Sequence, residues 1–125
     1  MAETEKITIN MNVVDLGQVD LLVEQGFYSN RTDFIKTAIR NQLTSHSKVI
    51  EKVITDKAFL IGITYYDRKT LEQVAENNKV LDIKVVGMLV LKEDIDVELA
   101  SKTIKSIKVF GVFKASPELK KALNQ

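Results

Sequence analysis

Residues 5–11, EKITINM, alternate strictly between apolar and polar side chains. Ile7, Ile9 and Met11 fall on one side, and Lys6, Thr8 and Asn10 on the other. A period of two is the signature of a strand with one buried face. One short strand cannot persist alone, because its backbone donors and acceptors need partners and its apolar face needs a cover. The residues that follow are helical in pattern, so the simplest partner is the same segment of a second copy. The expectation is a two-stranded antiparallel ribbon across a two-fold axis, with Ile7, Ile9 and Met11 of both chains packed onto helices.

Asn12 offers an N-cap to the run VVDLGQVDLLVEQ, whose apolar residues at 16, 19, 22 and 23 make a helical stripe. Gly17 weakens this helix by up to about 1 kcal/mol relative to Ala, and Gly26 is placed to end it. In SNRTDF, Asn30 is set to cap a second helix, and Asp33 to complete a capping-box variant beside the positive end of the helix dipole. Phe34, Ile35, Ala38, Ile39 and Leu43 form its apolar stripe. The first four of these join Ile7, Ile9 and Met11 in the expected dimer core. The polar stretch TSHS ends or bends this helix, and Val49, Ile50, Val53 and Ile54 resume helical spacing to about Lys57.

The remainder changes character. Three segments read alike: FLIGITY at 59–65, VVGMLVL at 85–91 and VFGVFKA at 109–115. Their glycines, Gly62, Gly87 and Gly111, are spaced 25 and 24 residues apart. Helix signals follow each: DRKTLEQVAENN after the first, VELASKTI capped by Asp96 after the second, and ELKKAL after the third, with Ser116 as cap and Pro117 at the first helical position. This is an internal repeat of strand, loop and helix. Units of this length predict parallel strands joined by helical crossovers. The apolar residues on both sides of each glycine predict a sheet covered on both faces.

Composition narrows the functions open to the chain. It has 125 residues, no cysteine and one histidine, and its net charge is +1. Disulfides, thiol catalysis and Cys-based metal sites are excluded, and His46 reads as a solvated residue of a polar stretch. No run approaches the ~18 apolar residues of a membrane span, and the start MAETEKITIN lacks a signal pattern. A cytoplasmic address without membrane contact is expected. Residues 58–125 hold no histidine, no Ser–His pair and no G-x-x-x-x-G-K loop. An enzyme is therefore not expected, nor a cofactor or metal. Asp94, Asp96 and Glu98 read as a helix cap and first-turn acids rather than a cation site. Tyr65 and Tyr66 read as sheet packing or as the lining of a pocket.

A two-stranded ribbon fits the major groove of double-stranded DNA. Its polar face is chemically suited to base edges: Lys6 can donate to guanine, Asn10 can pair with adenine, and Thr8 can hydrogen-bond or meet a thymine methyl. The order of features, KITINM, a helix, then QGFYSNRTDFIKTAIR, resembles the ribbon-helix-helix family of the MetJ, Arc and CopG kind. The resemblance covers residues 5 to about 45. It implies base contacts from Lys6, Thr8 and Asn10, and phosphate contacts from Asn30, Arg31 and Thr32 at the start of the second helix, where free N–H groups and the helix dipole attract anions. The charge departs from a typical DNA binder. Residues 1–57 hold seven Lys and Arg against eight Asp and Glu, Glu3 and Glu5 flank the ribbon, and only Lys6 is basic on its reading face. Affinity grows with the number of phosphates neutralised, so one dimer alone should bind weakly.

The expected organisation is α+β, with a ribbon-helix-helix module at 1–46, a helical linker at 47–57 and a small α/β repeat domain at 58–125. The last part either ties dimers into larger assemblies or binds a small-molecule effector at strand ends. Nickel-sensing relatives carry a His- and Cys-rich C-terminal domain, and this chain lacks those ligands. The leading reading is a transcriptional regulator, a repressor, that works as a homodimer or higher oligomer. One alternative is an assembly protein that keeps the module only for dimerisation. A lesser one is an antitoxin, whose tail would be expected to be disordered and charged, unlike this one.

Overall fold

The computed structural model describes residues 3–125. The chain divides into two compact units, one ending at Glu51 and one running from Lys52 to Gln125.

The first unit is built on α1 (Val13–Glu24) and α2 (Arg31–Ser45), with the start of α3 (Ser47–Asp56). Both expected N-caps form. Asn12 accepts hydrogen bonds from the backbone of Val14 and Asp15, and Asn30 accepts from the Asp33 backbone. Gly26 ends α1 as expected. It sits at φ 86°, with its N–H donating to the Val23 carbonyl and the Phe27 N–H donating to that of Leu22, a pairing that satisfies the last carbonyls of the helix. TSHS ends α2 at Ser45, and His46 is its C-cap.

The expected strand at 5–11 is not formed within the chain. Residues 3–12 carry no regular structure and lie largely exposed. The physical reason is the one that made the segment conspicuous: a ladder needs a second strand, and no described strand pairs with this one.

The second unit is a sheet of three parallel strands in the order β1-β2-β3, comprising β1 (Leu60–Tyr66), β2 (Leu81–Leu91) and β3 (Ile104–Lys114). The helices α4 (Arg68–Glu76), α5 (Val97–Thr103) and α6 (Pro117–Ala122) follow the strands in turn. The repeat is real at the level of register: Gly62 pairs with Gly87, and Gly87 with Gly111. Their φ values are 123°, 135° and 120°. A Cβ on Gly87 would run into the carbonyl oxygen of Gly62, and one on Gly111 into that of Gly87. The column therefore admits only glycine at its second and third positions.

The core lies on one side of this sheet. Leu71 of α4, Leu99 and Ala100 of α5, and Leu119 of α6 pack with Ile83, Val85, Leu89 and Leu91 of β2. This corrects the expectation of two covered faces. Strand order steps the same way twice, and right-handed crossovers then place both connecting helices on the same side. The opposite face, which carries Ile61, Ile63, Val86, Met88 and Phe110, points away from α4, α5 and α6.

Candidate nucleic-acid interface

The residues expected to read bases and those expected to form the dimer core alternate along one extended segment. Lys6, Thr8 and Asn10 are exposed. So are their apolar neighbours: Ile7 is 79% accessible and Ile9 61%, while Met11 is half-buried. On α2, Phe34 and Ile35 are half-buried, and Ala38 and Ile39 are exposed along an open apolar groove that continues through Leu43 to His46. Val19 is the only hydrophobic residue of the described part of this unit that is buried. Such a unit hides too little apolar surface to offset the entropy of ordering its chain.

Asn30, Arg31 and Thr32 are brought together at the start of α2. Helical geometry leaves the first N–H groups of a helix without internal partners. The Asn30 Oδ1 takes that of Asp33 at 2.7 Å, which leaves the Arg31 and Thr32 donors for other acceptors. Asp33 reaches back as the sequence suggests, but to the Ser29 N–H at 2.9 Å, one residue before the cap. Tyr28 and Phe34 close the same corner edge to face, with ring centroids 5.0 Å apart.

Sequence reasoning missed the partner of Arg31. Its guanidinium forks onto Asp20 of α1, with Nε 2.7 Å from Oδ1 and Nη2 2.8 Å from Oδ2. Those hydrogen bonds hold the Asp20 carboxyl below its ordinary pKa and raise that of Arg31, with the opposite charges adding to both effects. The pair fixes the guanidinium at the head of α2 while cancelling its charge locally. No spacing rule connects residues on two helices across a turn, so the sequence carried no signal for it.

In the second unit Asp96 and Glu98 take the places read for them, cap and first turn of α5, whereas Asp94 lies outside that helix and serves the head of α4 instead. Asp96 caps α5 by accepting from the Leu99 N–H, and that bond holds its pKa down, helped by Arg68. Asp94 accepts from the Arg68 backbone at 3.1 Å. Among the described residues no cluster of His, Asp or Glu could hold a metal ion. Tyr66 packs against the core, whereas Tyr65 stands on the open face with the Lys92 ammonium 4.7 Å from its ring centre. A cleft of about 770 Å³ lies at the carboxyl ends of β2 and β3, lined by Val90 to Glu93 and Lys114 to Pro117.

Among the described residues no helix is long and apolar enough to cross a membrane. Comparison with curated proteins and with solved structures returned no match. The model of the ribbon-helix-helix transcriptional regulator family matches residues 2–120. That match extends well past the 5–45 stretch that carries the resemblance, so the strand-helix repeats belong to the family pattern too. This kind of protein binds DNA, dimerises and regulates transcription. The chain belongs to the ribbon-helix-helix transcriptional regulator family.

Proposed function

We propose that two copies pair residues 5–11 as an antiparallel ribbon, set it in the major groove of an operator and repress the adjoining promoter. Lys6, Thr8 and Asn10 of both chains meet base edges, and Asn30, Arg31 and Thr32 meet the flanking phosphates. Ile7, Ile9, Met11, Phe34, Ile35, Ala38 and Ile39 form the core between the chains. In this reading residues 1–46 bind DNA and dimerise, 47–57 connect, and 58–125 serve assembly. The work is binding rather than catalysis, carried out in the cytoplasm.

One observation carries the reading: the segment that the family uses as its ribbon leaves its apolar row in water in the single chain, with Ile7 79% accessible. Pairing covers that row and simultaneously presents the polar row as a ribbon of the width the groove accepts. The near-balanced charge of this half supports cooperative binding of several weak dimers rather than one tight one.

Fluorescence anisotropy of the full chain on fragments of its own promoter tests this. Sequence-selective binding at low salt is expected, with selectivity lost in the Lys6→Ala/Asn10→Ala double variant. Unchanged selectivity in that variant removes the mechanism. Absence of selective binding by the wild type favours the assembly reading, which the same charge balance supports. An effector seated in the cleft at the ends of β2 and β3 is a second role for the C-terminal unit, supported by the usual placement of ligands in parallel sheets.

A further inference from the structure

The uncovered face of the C-terminal sheet is continuous across all three strands. Ile61, Val86 and Phe110 share one row, and Ile63, Met88 and Val112 the next. Ile61 is 70% accessible and Phe110 51%. Met88, at the centre, is 7% accessible. Parallel sheets occur almost only with both faces covered, because their strands are apolar on both sides. All the helices that pack on this sheet's core do so from the other side.

We propose that this face is covered by the same face of a second copy of the chain. Three features select that occupant. The patch is apolar at its centre, and its cations stand at the ends. Lys92 lies beside Tyr65, Lys108 has its ammonium 5.1 Å from the Phe110 ring, and Lys84 is tied to the Lys57 carbonyl at 3.2 Å. Their stems extend the apolar surface while the charged heads reach water, a rim that suits a sheet-on-sheet contact. The footprint is small, roughly 200 Å² in projection for three strands and five residues along each, beside the ~800 Å² per partner of a standard interface. A free stranger would bind it weakly. A second copy held through the N-terminal module arrives at millimolar effective concentration, which makes a small contact sufficient. In this last respect the inference rests on the proposed dimerisation of the N-terminal unit.

The chain has no cysteine, so single cysteines report proximity cleanly. Ile63→Cys of the full chain, treated with a short bismaleimide at low micromolar concentration, is expected to become largely covalent dimer. Ser101→Cys, on the helix-covered side, is expected to remain mostly uncoupled. Adding Ile61→Glu and Phe110→Glu to Ile63→Cys is expected to cut coupling at least tenfold. Should that triple variant fail to fold, the comparison of Ile63→Cys with Ser101→Cys still decides. Equal coupling at the two positions, or none at Ile63→Cys, overturns the proposal and leaves the face to another occupant. Promoter binding measured on the same proteins separates the two claims. Coupling without selective binding retires the DNA reading alone, and selective binding without coupling retires this one alone.

Discussion

Asp20 and Arg31 clasp α1 to the head of α2 through two parallel hydrogen bonds of 2.7 and 2.8 Å. The fork geometry orients a guanidinium better than a single bond does. It also means that a phosphate at the start of α2 must compete with Asp20 for Arg31. Both side chains are substantially exposed, at 57% and 46%, so exchange of partners is sterically open.

Arg31→Ala is expected to weaken DNA binding about equally on all sequences. It should also flatten the dependence of log affinity on log salt by about 0.9 for each phosphate that is no longer neutralised. Asp20→Asn is expected to do the reverse, strengthening binding and steepening the slope. Anisotropy titrations over a range of salt concentrations measure both. A loss of sequence preference in Arg31→Ala would assign the residue to base reading instead.

The glycine column predicts unequal effects from one substitution. Gly87→Ala places a methyl group inside a neighbouring carbonyl, and the C-terminal unit is expected not to fold. Gly62→Ala meets nothing within 4 Å but keeps φ at 123°, so it should cost only about 1–3 kcal/mol of strain. Urea denaturation followed by circular dichroism distinguishes the two.

Ala58 closes α3 with φ 55°, while its N–H donates to Thr55 and that of Phe59 to Ile54. This is the helix-ending geometry of Gly26, imposed here on a residue with a Cβ. Ala58→Gly is expected to stabilise the chain by about 1 kcal/mol, read as a higher urea midpoint with an unchanged slope. A lower midpoint would contradict it.

Asp20, Asp67 and Asp96 all titrate below their ordinary value in the folded chain. Arg31 is the main cause for Asp20, the Thr70 backbone N–H for Asp67 and that of Leu99 for Asp96. A folded pKa below the unfolded one adds stability above the unfolded value of about 3.8–3.9 and loses it as pH falls through the folded value. Thermal melting temperature should therefore be level near neutrality and drop below about pH 4. Asp96→Asn keeps a capping oxygen and should flatten that drop. An identical acid profile in the variant would count against this cause.

Local chemistry was legible in the sequence. Asn12, Asn30, Asp96 and Ser116 cap where their spacing places them, and the interval between glycines foretold a register in which all three align. What was hidden depends on distant or absent partners. VVGMLVL looks doubly covered because an apolar residue does not reveal whether its cover comes from this chain. Strand order and crossover hand decide that, and they leave Val86 and Met88 on the side away from α4, α5 and α6. Arg31 and Asp20 meet through the turn between two helices, which no periodicity describes. Residues 5–11 advertise a strand, yet no described strand of this chain pairs with them, and in the proposed dimer the second copy completes the ladder.

Amide hydrogen exchange of the full chain across residues 6–11 tests that last point most directly. If a second copy completes the ribbon, alternate amides of this segment are protected, protection rises with protein concentration, and it rises further on operator DNA. Exchange at the rate of an unstructured peptide at every concentration, with or without DNA, would contradict the account.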